Sequence, residues 1–305
     1  MNTVTIKNQQ TLLGDDYILI WIEAFLKAKK AENLSKGTIK FYRTNLKPFT
    51  DFLDSQGVKF ISQINPTLIR DFLLLLEERN HNAGGVHGFF RAIKVFMKWY
   101  WDETEQESVN PISKVKAPRV PVEPIQGISK EDFDALLNIC PKMTFYGIRN
   151  ASILMVLYDT GVRASEALSI NSEDVNLADS SILIKQGKGR KPRTVFFGKK
   201  TRKQLRKLLN IKIESNALFT DKDGDRMKYT GLRELMRRLS VKANIPAPAI
   251  HGFRRAFTLN CLQAGMNETT ISRLLGHSNT SLIGRYAKQN TVDLMSGYKS
   301  PIDAE

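Results

Sequence analysis

Cysteine is scarce in this 305-residue chain: Cys140 and Cys261 are the only two. Two cysteines cannot build a disulfide framework, and the scarcity points to a reducing compartment, so a cytoplasmic location is expected. Long apolar runs are also missing. Runs such as Phe72–Leu76 are only a few residues long and fall far short of the roughly 20 residues that a bilayer span needs. Met1–Gln10 has no apolar stretch behind a basic start, so no secretory leader is expected. Histidine is rare, four in all, and no His-Glu-x-x-His or Cys-x-x-Cys pair occurs, which leaves a metal centre without support. A serine hydrolase lacks its Gly-x-Ser-x-Gly elbow. An ATP-driven reaction lacks its phosphate-binding loop, because the nearest candidate, Gly187-Lys188-Gly189, has glycine where Ser or Thr is required.

What is present is positive charge. Lys and Arg number 46 against 31 Asp and Glu, a net of +15. Hydrophobic residues, at 42%, suffice for ordinary cores. The charge is uneven. Residues 1–110 hold 14 basic and 13 acidic side chains, residues 111–124 add a net of +2, and residues 125–305 hold 29 basic against 17 acidic. A polyanion is therefore the expected partner, and the second half is expected to hold most of it.

The composition predicts three parts. Residues 1–110 carry four helical patterns. Asp15 and Asp16 can cap the first, Ser35 the second, Pro66 suits the first turn of the third, and the fourth is expected after Gly84-Gly85. Residues 111–124 contain Pro111, Pro118, Pro121 and Pro124 and predict an extended linker. Residues 125–305 are mixed. Ser129 opens a helix in capping-box style, and helices are predicted over Ile148–Tyr158 and Arg163–Leu168. Ser181–Lys185 and Thr194–Phe197 read as two strands, and helix is predicted again from Lys200 onward, broken near Pro246–Pro248.

Four segments could carry chemistry. Between Lys185 and Lys207 stand eleven basic residues and no acid. Lys185, Arg190, Lys191 and Arg193 are candidate contacts to a phosphate backbone, and the plain alternative is a solvated face. In Thr160-Gly161-Val162-Arg163-Ala164-Ser165-Glu166, glycine stops a helix and Arg163 begins the next, near N–H groups that also attract anions. The alternative is a surface arginine paired with Glu166. His251 and Arg254 share one helical face, a neutral ring beside a cationic fork that suits a phosphate. Lastly, Leu275-Gly276-His277 is followed nine residues later by Tyr286. Taken alone, that tyrosine suits a core.

The order Arg163, Lys188 on a hairpin, His251-x-x-Arg254, Leu275-Gly276-His277, Tyr286 resembles the tyrosine recombinase, or phage-integrase, family over residues 125–290. The helical first half looks like that family's core-binding domain. The resemblance implies a mostly α protein: a four-helix SAM-like domain, then an α+β catalytic domain with a small antiparallel sheet. It implies a site-specific recombinase that cuts and rejoins double-stranded DNA. Tyr286 would be the nucleophile, forming a 3′-phosphotyrosine. Arg163 and Arg254 would clamp the non-bridging oxygens, and His277 would add a hydrogen bond. Lys188 would protonate the leaving 5′ oxygen, and His251 would act as base. Glu166 would be structural. No ATP, metal or other cofactor would be needed, because the phosphotyrosine bond retains the energy of the broken diester. Arg255 stands where many members have His. With the first helix near residue 15, no arm-binding domain is expected, which favours an Xer-like member. A homotetramer on two duplexes is implied, with the tail Asn290–Glu305 docking on a neighbour, and no membrane partner. Two alternatives stand beside it: a type IB topoisomerase-like strand relaxer, which could use the same constellation, and a non-catalytic DNA-binding regulator, whose basic residues would only neutralise phosphates.

Overall fold

Ser35 starts a helix as its sequence position suggests: its hydroxyl accepts the Thr38 N–H at 2.9 Å. Asn65 does the same for the N–H groups of Thr67 and Leu68, with Pro66 in the first helical position, and Asn82 for that of Gly85. The computed structural model describes residues 16–121, 126–185, 192–211 and 215–276. The chain divides into two units, Met1–Glu123 and Pro124–Glu305.

The first unit holds four helices, α1 (Ile18–Ala31), α2 (Lys36–Ser55), α3 (Pro66–Glu78) and α4 (Ala83–Glu103). Their apolar stripes meet in one core around Phe25, Phe49, Phe72 and Phe96. Three details differ from the sequence reading. Asp15 lies outside the described residues, and Asp16 does not cap α1, which starts at Tyr17 without a side-chain cap. The Asp16 carboxylate instead accepts the Tyr100 hydroxyl and the Ser62 N–H, both at 2.6 Å, which satisfies a phenol buried on α4. Gly84 and Gly85 lie inside the first turn of α4, because Asn82 caps ahead of them. The segment expected as linker is packed in its first part. Pro111–Lys114 forms a short 3-10 helix, and Ile112 and Val115 join the core. Beyond it, the Pro118 carbonyl meets His87 Nδ1 at 3.0 Å.

The second unit runs α5 (Lys130–Asn138), α6 (Phe145–Thr160), α7 (Ala164–Ser169), β1 (Val175–Asn176), β2 (Ser181–Ile184), β3 (Arg193–Phe196), α8 (Lys199–Leu209), α9 (Tyr229–Ala243), α10 (Ile250–Gln263) and α11 (Glu268–Leu275). The three strands form one antiparallel sheet in the order β1-β2-β3, with Ile182 opposite Val195 and Ile184 opposite Arg193. Ile182, Ile184 and Val195 face the core, while Leu183 and Phe196 face out, the two-residue alternation of a half-buried sheet. Continuous helix from Lys200 does not hold. After α8 the chain makes isolated bridges, Asn171 to Ala217 and Thr220 to Arg226. The Asp221–Asp225 stretch between them is a turn, in which Asp221 Oδ1 accepts the N–H groups of Asp223 and Asp225.

Gly161 ends α6 with φ +60°, a left-handed conformation that costs side-chain-bearing residues. Space also demands glycine there. A Cβ would lie 2.4 Å from the Phe257 ring and 2.9 Å from Leu275. That close approach of α6 to α10 and α11 brings the candidate residues together.

Candidate active site

Arg163 stands at the N-cap of α7, and its backbone N–H donates to Glu166 Oε2 at 2.8 Å. Its Nη1 donates to Glu166 Oε1 at 3.0 Å and reaches the Leu275 carbonyl at 3.5 Å. Arg254, 4% exposed on α10, donates from Nη1 to the Gly161 carbonyl and from Nη2 to the Leu275 carbonyl, each at 2.8 Å. The two arginines, 91 residues apart in sequence, therefore converge on one carbonyl at the end of α11. A helix C-terminus is a site of partial negative charge, which suits both cations.

His251 lies in the first turn of α10, one turn before Arg254. Its pKa is lowered by burial first, then by the positive charges of Arg255, Arg254 and Arg163. The ring is thereby kept neutral at ordinary pH, with a lone pair available to take a proton.

Glu166 is the acid of the cluster and is almost fully buried. Burial alone would raise its pKa. The bonds from Arg193 and from the Arg163 N–H, with both positive charges, outweigh burial and bring it to about 2. The sign follows. An ordinary value of 4.5 falling to about 2 on folding stabilises the protein fully above pH 4.5. That stabilisation, on the order of 3 kcal/mol, is lost as pH falls towards 2. The urea midpoint is expected to hold from pH 7 to about 5 and then drop. Glu166→Gln should flatten that drop; an unchanged acid slope would remove Glu166 from the account.

The cation run of 185–207 does not behave as one surface. Lys185 pairs with Asp174 at 2.6 Å and with Glu173 at 2.8 Å. Arg193 is turned inward, its side chain 13% exposed, with both Nη atoms on Glu166 and Nε on the Leu274 carbonyl. By contrast, α8 buries Thr201, Leu205 and Leu208 and leaves Lys199, Lys200, Lys203, Arg206 and Lys207 exposed. Asp159, in the segment before Arg163, starts that helix, accepting the Gly198 N–H at 2.7 Å and the Thr201 hydroxyl at 2.6 Å. Neither the inward Arg193 nor the Asp159 cap was anticipated. Strand alternation carries the signal for Arg193, which is in step with buried Val195 and Phe197.

Lys188, Arg190, Lys191, His277 and Tyr286 lie outside the described residues, as does the tail Asn290–Glu305. Lys188 falls in sequence between β2 and β3, and His277 directly follows Gly276. Among the described residues no cluster of His, Cys, Asp and Glu could hold a metal ion, and no helix is long and apolar enough to cross a membrane. Burial raises both cysteine thiols to about 11, helped at Cys261 by Asp159, so neither is a thiolate at neutral pH.

Comparison with known proteins identifies the family. Residues 126–292 match the phage integrase family, and residues 21–107 match the phage integrase N-terminal SAM-like domain. Tyrosine recombinase XerC of Oceanobacillus iheyensis is 27% identical over 291 residues, 92% of this chain and 94% of that protein. Tyrosine recombinase XerA of Saccharolobus solfataricus is 26% identical over 283 residues, 90% of each. In fold, the chain is similar to the XerH site-specific recombinase solved in a post-cleavage complex with palindromic difH substrate. That match has a TM-score of 0.71 and 18% identity over 88% of this chain and 81% of that one. The two matched regions meet the two units the chain folds into, and the convergence on Leu275 lies within the second: this chain belongs to the phage integrase family, the tyrosine recombinases.

Proposed function

We propose that the protein is a site-specific recombinase that cuts and rejoins duplex DNA through a 3′-phosphotyrosine at Tyr286. One observation carries the reading: Arg163 and Arg254 meet at the Leu275 carbonyl, two residues ahead of His277, with a neutral His251 in their field. Two guanidinium groups, Arg163 and Arg193, pair with the one Glu166 carboxylate, and Arg254 shares the Leu275 carbonyl with Arg163, so these four side chains carry a net charge of +2. A phosphodiester carries one negative charge, and its five-coordinate transition state places more on the oxygens. Fixed cations in a half-buried site favour that state over the ground state.

The reaction follows from these groups. The Tyr286 oxygen attacks phosphorus in line, and its proton passes to His251. Arg163, Arg254 and His277 hold the non-bridging oxygens. The bond to the 5′ oxygen breaks, and Lys188 donates the proton to it. Attack by the 5′ hydroxyl of another strand reverses these steps, so the bond energy is conserved. The exposed cations of α8 hold flanking phosphates. The working form is a homotetramer on two duplexes, with Val292, Leu294, Met295 and Tyr298 of the tail docking on a neighbour, and its compartment is the cytoplasm. The XerH complex supports the reading, since it was captured on its DNA after cleavage.

A nicked suicide duplex from the flanking DNA of the native locus tests this. A denaturant-resistant adduct is expected, with the modified peptide containing Tyr286. Binding without any adduct would favour the regulator. An adduct with relaxation of supercoils but no exchange between two labelled duplexes would favour the strand relaxer.

Two further results are expected. Arg163→Lys keeps the charge and loses the fork, so DNA affinity should hold while cleavage falls roughly a hundredfold. Weaker binding with normal cleavage per bound complex would refute that role. The cleavage rate should keep its plateau below pH 6.5, the ordinary histidine value, because the His251 pKa is lowered. The acid limb then lies further down and should vanish in His251→Gln. A limb above pH 6.5 would mean that His251 is not the base.

A further inference from the structure

We propose that Arg193 is a positioning residue for DNA cleavage, setting Arg163 through Glu166 and holding the last turn of α11, and is not a contact to the DNA backbone. The inference rests on the recombinase reading for its link to cleavage.

Three contacts support it. Both Nη atoms of Arg193 grip the Glu166 carboxylate, Nη1 on Oε1 at 3.0 Å and Nη2 on Oε2 at 2.7 Å. The same two oxygens receive Arg163, Oε1 its Nη1 and Oε2 its backbone N–H. Glu166 is thus a plate between two guanidinium groups, and Arg193 fixes the plane of that plate. A bidentate fork does this where a single ammonium could not. The third contact runs to α11: Nε donates to the Leu274 carbonyl at 2.8 Å. The next carbonyl, that of Leu275, receives Arg163 and Arg254. Three arginines from β3, α7 and α10 thereby hold successive carbonyls of one helix end.

Packing agrees with the hydrogen bonds. Gly276 has φ +63°, and a Cβ there would sit 3.1–3.2 Å from the Arg193 side chain. The stem of Arg193 crosses directly beneath the residue that joins α11 to His277. Opposite it on β2 stands buried Ile184, so Arg193 lies on the core face of the sheet.

A backbone contact and a positioning role differ in what they change. The full chain carrying Arg193→Gln is compared with wild type by DNA affinity, its salt dependence, and single-turnover adduct formation at saturating suicide duplex. Amide hydrogen exchange over residues 271–276 is measured without DNA. Expected are an affinity within about twofold of wild type and an unchanged salt slope. Cleavage at saturation should be slower by roughly a hundredfold, as misplacement of a catalytic group predicts, and exchange over 271–276 faster. Arg193→Lys keeps a charge on Glu166 but loses the fork and the Leu274 bond, so its cleavage should lie between the two. It carries the test if Arg193→Gln does not fold.

A salt slope reduced by about one, with normal cleavage at saturation, would identify a phosphate contact and overturn the inference. A lower melting temperature with wild-type cleavage would mark a merely structural role and also overturn it. If wild type itself forms no adduct, the recombinase reading fails. Unchanged exchange over 271–276 would overturn the positioning of α11 by Arg193 in either case.

Discussion

Tyr286→Phe is expected to form no covalent adduct on a nicked suicide duplex, a loss of at least about a thousandfold, while binding that duplex within about twofold of wild type. The phenyl ring keeps the bulk and removes only the oxygen proposed to attack phosphorus. The cations that hold the backbone are untouched, so affinity stays. The thiols and the buried acid of the described residues are poor replacements for the lost phenol. The chain's two thiols are held protonated by burial at neutral pH, and Glu166 is locked between two arginines. An adduct persisting in Tyr286→Phe would place the nucleophile elsewhere. Peptide mapping of that adduct would locate it.

Arg254→Lys is expected to lower cleavage at saturating DNA by roughly a hundred- to thousandfold. It should also lower the urea midpoint, which Arg163→Lys should leave nearly unchanged. The difference comes from burial. Arg254 is 4% exposed and spans two backbone carbonyls, those of Gly161 and Leu275, with two nitrogens at 2.8 Å. Lysine has one nitrogen, whose N–H groups diverge from a single point and cannot reproduce two donors set on separate nitrogens. With the ammonium on Leu275, the Gly161 carbonyl loses its Arg254 donor, at about 1–3 kcal/mol. The α6–α7 turn then loses its tie to the end of α11. Arg163 is more exposed, and its carboxylate partner can keep an ammonium in place of the fork. Equal loss of stability in both variants would contradict this division of roles. Full cleavage by Arg254→Lys would remove Arg254 from the phosphate.

Much of this was legible in the sequence, for identifiable reasons. Helix caps at Ser35, the proline after Asn65 and the stop at Gly161 are local, and each acts within a few residues. The order of Arg163, His251-x-x-Arg254 and Leu275-Gly276-His277 was also visible, because a site of this chemistry needs its residue types in fixed local contexts. What was not legible depends on partners far along the chain. Asp16 resembles a cap, yet its carboxylate meets Tyr100, 84 residues away. Asp159 looks like an ordinary helical acid, yet it starts α8 from 42 residues away. The cation run looked uniform because composition counts charges and ignores facing. The sheet then separates Lys185, paired with two acids, from Arg193, turned to the core, and α8 presents the rest.

The shared carbonyl of Leu275 also fixes when the site can exist during folding. Its partners are separated from it by 112 residues at Arg163 and by 21 at Arg254, and Arg254 reaches Gly161 across 93. Contacts of such span close late, after the local helices have formed. Until α11 arrives, Arg163, Arg193 and Arg254 each lack a carbonyl that the finished fold gives them, those of Leu274 and Leu275. Order of synthesis alone withholds the cluster: residue 275 is made 112 residues after Arg163 and 21 after Arg254, so the carbonyl they share is among the last parts of the second unit to be made.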